Sequence, residues 1–511
     1  PAPPPVPERR VVLPPSPPPP PPKPPLFAGS RPGREAGAHD VVLVVLDTVR
    51  ADFLQPYGEQ RATSPFLVEL AKQGVTFANA YATSGWTVPS MASMMTGVYP
   101  SEHGLVSSVF ARGDSRQPVL PEDADTLAER MQAGGYETFA VCTNAFLTAQ
   151  FGFGQGFDHF AGDAVGWMPF PRLAVESMAP ARARSGKYFL WLHYFDPHWP
   201  YTEHAPWFQM WNDSRFENGA EIGLDAARWT YRLQRELPPD APVPPADMAE
   251  LLRIARLFHL EPMLTLDGIR TLGHTPAGVK LRDDYTRFLR AAYRSQLRAV
   301  DRDLERVLRG MGLDDDTLLI VTSDHGEEIL DRGRLGHSLE SLHQELIRVP
   351  LFVRLPQGRA GGEVITTPVS LVDLIPTMLE LLKLPPADDV SGESFASLLE
   401  GPPPATARKL IAEYRHVSGT EHRAVLRHPW KYVHDFQTGS GQLFDLSADP
   451  AELEDHAASE PERAAELRTW LLDWVANAKP RWQEAPPVEL TPAQIMELRA
   501  VGYAGADSSA H

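Results

Sequence analysis

Val41-Val-Leu-Val-Val-Leu-Asp-Thr-Val-Arg-Ala-Asp52 opens with six consecutive β-branched or leucine residues and then turns abruptly polar. A run this apolar has no solvent face, so it reads as a strand buried on both sides, as in parallel sheets covered by helices. Similar short runs recur at 138–142, 188–193, 318–322 and 349–353, with helical spacing of apolar residues between them at 65–73 and 285–309. Strands that alternate with helices predict an α/β fold, a doubly wound and mostly parallel sheet sandwiched by helices.

Upstream of this strand the composition changes. The first 25 residues contain 15 prolines, six of them unbroken at 17–22, which favours extended polyproline and buries no core. Residues 1–38 are therefore expected to be a disordered stalk, and residues 39–410 the catalytic α/β domain. The chain does not begin with Met, as expected of a mature or truncated form whose targeting segment has been removed. A stalk ahead of a globular domain suits an extracytoplasmic protein, periplasmic, exported or tethered to a membrane upstream of the prolines; a plain tail is the alternative.

Downstream, residues 203–284 carry Trp207, Trp211 and Trp229 among prolines and arginines with no clean period. They read as an insertion that shapes a pocket. From Ile411 a smaller α+β subdomain with a tail is expected over 411–511. Short antiparallel strands are expected at 424–426, 431–433 and 442–446, and a helix over 464–478 with Leu467, Trp470, Leu471 and Trp474 on one face. The chain has 511 residues, enough for two or three domains. Its 48 basic and 66 acidic residues leave a net charge of −18, which disfavours nucleic acid as a partner. No apolar run approaches the ~20 residues of a membrane span, and the single cysteine, Cys142, excludes an intrachain disulfide.

In open α/β sheets ligands gather beyond the carboxyl ends of the strands. Asp47 ends the first buried run, where a carboxylate either ligates a cation or caps a turn. Asp324-His325-Gly326-Glu327 ends the run at 318–323 and offers a carboxylate and an imidazole side by side, with His337 thirteen residues after Asp324. In Ser84-Gly-Trp-Thr-Val-Pro-Ser-Met-Ala-Ser-Met-Met-Thr-Gly97, Pro89 suits a first helical turn, so Thr87 should lie at a helix N-terminus. There its hydroxyl is either a cap or a nucleophile beside a bound anion. His193-Tyr-Phe-Asp196-Pro-His198 leaves another buried run; its groups suit metal binding or protonation of a leaving group.

Together these motifs resemble the sulfatase branch of the alkaline phosphatase superfamily. The likeness continues through Tyr99-Pro-Ser-Glu-His103-Gly, Gly135-Tyr-Glu-Thr138, Ile347-Arg-Val-Pro-Leu351, Lys431-Tyr432 and Leu443-Phe-Asp-Leu446, and covers about 450 residues. The resemblance implies an alkaline phosphatase-like fold, with Asp47, Asp324, His325 and Thr87 as metal ligands. It places Thr87 in the nucleophile position and lines the site with His337. In the mechanism expected from these residues His198 or His337 protonates the departing alcohol, with Asn144, His193 and Asp196 around the substrate; Asp196, His193, His198 and His337 are also the ligands open to a second metal. Asn144 is similar to the asparagine that cradles a phosphoryl oxygen in related phosphodiesterases.

The chain also departs from sulfatases. These carry Cys or Ser, oxidised to formylglycine, followed by Pro-Ser-Arg; here Thr87 precedes Pro89-Ser90-Met91. A threonine nucleophile resembles the phosphoethanolamine transferases, lipoteichoic acid synthases and nucleotide phosphodiesterases of the superfamily. The expected function is metal-dependent cleavage or transfer of a phosphoester on a small-molecule, lipid or glycan substrate. A sulfuric ester hydrolase working without formylglycine and an inactive binder of glycans or lipid headgroups are the alternatives. Imidazole ligands favour Zn²⁺ or Mn²⁺, with Ca²⁺ or Mg²⁺ the next choices.

Overall fold

The structure, a computed structural model, describes residues 25–29, 39–108, 116–162, 186–198, 201–214, 276–332, 335–337, 341–399, 401, 408–416, 419–492 and 494. Among these, nine strands form one sheet, ordered Val364–Ile365, Val75–Tyr81, Arg348–Arg354, Leu318–Ser323, Val41–Leu46, Tyr188–Tyr194, Glu137–Cys142 and His159–Ala161, with Val369–Ser370 also on Val75–Tyr81. The strands from Leu318–Ser323 through His159–Ala161 run parallel to one another. Arg348–Arg354 is the reversed strand, antiparallel to both neighbours. The mostly parallel α/β sheet is thus present, and Val75–Tyr81 joins it although its mixed composition gave no signal.

The run that opens the domain behaves as its composition requires. Val41, Leu43 and Val45 point into one core and Val42, Val44 and Leu46 into the other, all at most 2% exposed. The first core is closed by the helices Thr87–Thr96, Leu127–Ala133 and Leu374–Leu381. The second is closed by Pro65–Gln73 and by the long helix Pro276–Met311. Because alternate side chains of a strand leave on opposite faces, only a continuously apolar strand fills two layers at once.

Two boundaries differ from expectation. Phe27–Ala28, which composition assigns to the stalk, pair in parallel with Leu313–Asp314, and Leu26 enters the second core at 3% exposure. The Arg354 guanidinium lies 3.7 Å above the Phe27 ring. The proline run hid Leu26 and Phe27, which bury apolar area against a preformed sheet. The long helix starts at Pro276, so the end of the expected insertion belongs to the α/β domain. Trp207 and Trp211 fall on the short helix Trp207–Trp211 packed against it; Trp229 and the middle of the insertion lie outside the described residues.

The C-terminal sheet is antiparallel through Gly441–Asp445, Trp430–Asp435, Glu421–Arg427 and Leu410–His416, and then takes Ser107–Ser108 from the first half of the chain as a parallel edge strand. The helix Pro461–Asn477 covers one face of it with Leu467 and Leu471, flanked by Trp470 and Trp474. The other face meets Tyr81, Leu342, Leu346 and Ile347 of the α/β domain. Lys431, fully buried, is neutralised by Glu452 of the same subdomain at 2.6 Å and crosses this seam to donate to the Leu342 carbonyl oxygen. No helix among the described residues is long and apolar enough to cross a membrane.

Candidate active site

The parallel strands deliver their polar ends to one place. Asp47 follows Leu46, His193 lies near the end of Tyr188–Tyr194, Asn144 follows Cys142 by two residues, and Asp324 follows Ser323. Strand register sets this convergence: Leu46 pairs with Ser323 and with Tyr194, and His193 pairs with Val45 and Cys142. The loops beyond are laced together. Ser323 Oγ lies 2.5 and 2.7 Å from the carbonyl oxygens of Leu46 and His325, which share its one proton, and accepts from the Val49 N–H at 2.8 Å. Thr48 adopts a left-handed φ of 58°, a conformation costly for a β-branched residue. Tyr293 holds it there, donating to the Thr48 carbonyl at 2.7 Å and accepting from the Arg50 N–H at 3.0 Å.

The turn at 324–327 depends on Gly326. A Cβ there would lie 2.0 Å from the Glu345 carbonyl oxygen, because Gly326 and Glu327 donate their N–H groups to Leu346 and Glu345. His325 Nδ1 lies 2.8 Å from the Gly326 carbonyl oxygen, an acceptor only, so Nδ1 carries the proton and Nε2 presents its lone pair to the site. That lone pair lies 3.7 Å from Asp47 Oδ1, 3.6 Å from Asp324 Oδ2 and 3.2 Å from Thr87 Oγ1.

Asp47, Thr87, His193, Asp324 and His325 are all fully buried. Among the described residues, Asp47 Oδ1, Asp324 Oδ2 and both ring nitrogens of His193 have no hydrogen-bond partner, and ligand atoms of Asp47, His193 and Asp324 gather within 4.8 Å of one another. Buried polar atoms are otherwise almost always paired. His193 Nε2 lies 3.9 Å from Asp324 Oδ2, too far for a hydrogen bond and near enough to share one cation. Burial, reinforced by the Asp324 charge, pushes Asp47 well above the usual carboxylate range. Burial alone would raise Asp324 too, but the neighbouring His325 and His193 bring it down to about 2. Two carboxylates and two imidazoles converging this way, with Asp47 disfavoured as an anion so long as no cation lies between them, form a donor set that fits a divalent ion of borderline softness.

Thr87 is the first residue of the helix Thr87–Thr96, as its sequence context requires. Ser90 of the same turn donates to the Asp324 carbonyl oxygen at 2.6 Å, fixing the helix against the Asp324 turn. Behind it, His103 lies 3.2 Å from the Pro89 carbonyl and 3.1 Å from Ser93 Oγ, and its Nδ1 accepts from the Leu105 N–H at 3.1 Å. Burial pushes this imidazole from 6.5 down to about 3. The unfolded chain then takes up a proton that the native state refuses, so this contribution to stability is complete above pH ~6.5 and is lost as pH falls toward 3. Urea unfolding at pH 7.5 and 5 should show a loss on the order of 2 kcal/mol at the lower pH. His103→Gln, which titrates nowhere in that range, should remove most of this pH dependence.

The remaining expected residues fall into two sets. His337 and His198 do reach the cluster: His337 lies 4.6 Å from His325 ring to ring, and His198 4.8 Å from His337. His198 stacks on Phe195 at 4.4 Å, and His337 Nδ1 meets Glu327 at 3.0 Å. Asn144 turns its amide to Asp47, donating to Oδ2 at 2.7 Å while its Oδ1 accepts from the Phe146 N–H at 2.9 Å. It thereby aims Asp47 Oδ1 at the cluster. His193, expected beside the substrate, sits among the candidate metal ligands. Asp196 stands apart and accepts from Gln296 at 2.8 Å. Sequence reasoning missed Glu327, Ser90 and Tyr293 as organisers. Glu327 was visible as the carboxylate after Asp-His-Gly; Tyr293 carried no signal, because it reaches Thr48 from 245 residues away.

A parallel α/β sheet with buried carboxylates, imidazoles and a helix-terminal hydroxyl at its carboxyl ends defines a metal-dependent hydrolase. The Sulfatase family pattern matches residues 39–384, and the pattern described as N-sulphoglucosamine sulphohydrolase, C-terminal, matches residues 339–475. This chain belongs to the Sulfatase family, within the alkaline phosphatase superfamily, whose members use a divalent metal. It is 26% identical to the multifunctional alkaline phosphatase superfamily protein PehA of Trinickia caryophylli, over 85% of this chain and 95% of that protein. It is 21% identical to an N-acetylglucosamine-6-O-sulfatase of Bacteroides thetaiotaomicron, over 81% of this chain and 82% of that one. Among solved structures, the phosphonate monoester hydrolase of Agrobacterium radiobacter superposes with a TM-score of 0.62 at 21% identity, covering 89% of this chain and all of that one. A protein solved with its substrate D-glucosamine-2-N,6-O-disulfate superposes with a TM-score of 0.65 at 19% identity, over 87% of this chain and all of that one. These last two likenesses support the fold.

Proposed function

We propose that this protein cleaves phosphorus esters, a phosphodiester or phosphonate monoester in preference to a sulfate ester, through the Thr87 hydroxyl. The observation that carries the reading is Thr87 itself, fully buried at a helix N-terminus with Oγ1 3.2 Å from His325 Nε2 beside the unpartnered Asp47 and Asp324 oxygens. A threonine side chain cannot be oxidised to the aldehyde that family sulfatases use, so the hydroxyl is left to act directly. Asp47, Asp324, His325 and His193 would hold the divalent ion, Zn²⁺ or Mn²⁺ by donor set, with Ca²⁺ or Mg²⁺ next. When bound it would supply the positive charge that lowers the Thr87 hydroxyl pKa and neutralises an ester oxygen.

Thr87, its hydroxyl proton released to solvent, attacks phosphorus through Oγ as the bond to the departing alkoxide breaks in line with it, and that oxygen takes a proton from the protonated imidazole of His198 or His337. The free backbone N–H groups of the Thr87 helix face the anion. A water or a second alcohol then displaces the phosphoryl group from Thr87. The proline segment fits an extracytoplasmic placement.

The experiment is a brief incubation with a 4-nitrophenyl phosphodiester, an acid quench and peptide mass spectrometry. Phosphate on Thr87, with turnover of the aryl phosphodiester exceeding that of aryl sulfate, is the expected result. An unmodified Thr87 with faster aryl sulfate cleavage would sink the proposal. The sulfate reading draws on the sulphohydrolase-type match over residues 339–475.

A further inference from the structure

Arg290, Tyr293 and Gln296 lie three residues apart on the helix Pro276–Met311 and so form one stripe along a single face. Each grips a different loop of the site. Arg290 pairs with Asp331 at 2.7 Å, just beyond the Asp324 turn. Tyr293 holds Thr48 and Arg50, just beyond Asp47. Gln296, 2% exposed, donates from Nε2 to Asp196 Oδ1 at 2.8 Å, and its Oε1 accepts from the Thr202 N–H at 3.0 Å. Its neighbour Ser295 accepts from the His204 N–H at 3.1 Å.

Asp196 and Thr202 flank His198. A single buried amide therefore pins the chain on both sides of the imidazole, which itself leans on Phe195 and His337. Loops on their own wander by more than a reacting group tolerates, and a displacement of ~1 Å is worth about 100-fold in rate. A rigid helix that fixes three loops against one another removes that freedom.

We propose that Gln296 is the positioning residue of His198, its amide bridging Asp196 and the Thr202 backbone so that the imidazole is held toward the leaving oxygen of an ester at Thr87. The inference rests on the reading of His198 as a proton donor to the leaving group. It assigns Asp196 to the scaffold of that loop, as the carboxylate that Gln296 holds.

The bridge has a donor–acceptor polarity that can be swapped. Gln296→Glu keeps an acceptor for Thr202 but sets a carboxylate against Asp196. Adding Asp196→Asn restores the pair, since an asparagine amide donates to the glutamate while its other oxygen still accepts from Thr202. The full-length protein loaded with Mn²⁺ is assayed on 4-nitrophenyl and phenyl phosphodiesters, because only the poorer phenoxide leaving group needs a proton strongly. Gln296→Glu should lower kcat about tenfold or more on the phenyl ester and much less on the 4-nitrophenyl ester, in parallel with His198→Ala. The double variant should recover to within about threefold of wild type on both.

If His198→Ala shows the leaving-group dependence while Gln296→Glu loses equally on both esters, or if the double variant is no better than Gln296→Glu, Gln296 does not position His198. If His198→Ala itself shows no leaving-group dependence, the proton-donor role fails first, and with it the inference. Thermal melts and metal content of each variant separate these outcomes from misfolding. A loss of activity that tracks a lowered Tm across all variants counts against the proposal.

Discussion

Thr87→Ala should abolish ester cleavage, lowering kcat/KM on the order of 10⁴-fold or more, while bound metal stays at the wild-type level. Removing a nucleophile that acts as one unit with its activators typically costs that much. Metal should remain because Asp47, Asp324, His325 and His193 are placed by strand ends and by Asn144, Ser323 and Gly326, none of which needs the Thr87 side chain. Thr87→Ser keeps the hydroxyl and loses only a packed methyl, so it should retain part of the activity and still take up phosphate. Parallel measurement of metal content and turnover decides the matter. Near wild-type turnover in Thr87→Ala would reduce the hydroxyl to a helix-terminal cap and pass the attack to a water. Thr87→Cys is the complementary variant. Met91 stands where sulfatases place the arginine beside their aldehyde, so arylsulfatase activity should not emerge.

The second large effect is expected at Asp324. One oxygen accepts from the His325 N–H at 2.9 Å and the Thr48 N–H at 3.3 Å, and the other faces the cluster without a partner. Asp324→Asn keeps the size and removes the charge. Metal affinity should fall by at least about 100-fold, because substituting mere supporting groups around a metal already costs 10 to 100-fold. Activity at limiting metal should fall with it.

Stability should move the other way at Asp47, the carboxylate that burial and the Asp324 charge hold well above its usual range. Asp47→Asn should raise the Tm measured in chelator, while the rise in Tm on adding Mn²⁺ should shrink. A variant that melts lower in chelator and still binds metal normally would remove Asp47 from the ligand set. The opposed signs distinguish a functional carboxylate from a structural one, since a site built to attract a cation is strained in its absence.

The order of apolar residues alone identified the buried parallel strands of the α/β domain, though not Val75–Tyr81 or the reversal at Arg348–Arg354. Six consecutive apolar residues at Val41–Leu46 leave no polar face, so the strand has to be covered on both sides, and polar residues at its end have to emerge where ligands bind. Asp47, Thr87, Asp324 and His325 were legible for that reason, each following a buried run or opening a helix. The helix face of Leu467, Trp470, Leu471 and Trp474 was legible from its period.

What the tertiary structure decided were contacts between segments far apart in sequence. Local pattern is silent there, because a hydrogen bond across hundreds of residues leaves no periodicity. Nothing around Tyr293 or Gln296 distinguishes them from other polar positions on a long helix, yet one fixes the strained Thr48 and the other brackets His198. Asn144 carries no label that sends its amide to Asp47, and His193 joins Asp47 and Asp324 only because strand register sets them side by side. The Leu26 and Phe27 clasp was masked by proline, since composition averages over a window while burial is settled residue by residue against whatever surface the folded sheet presents.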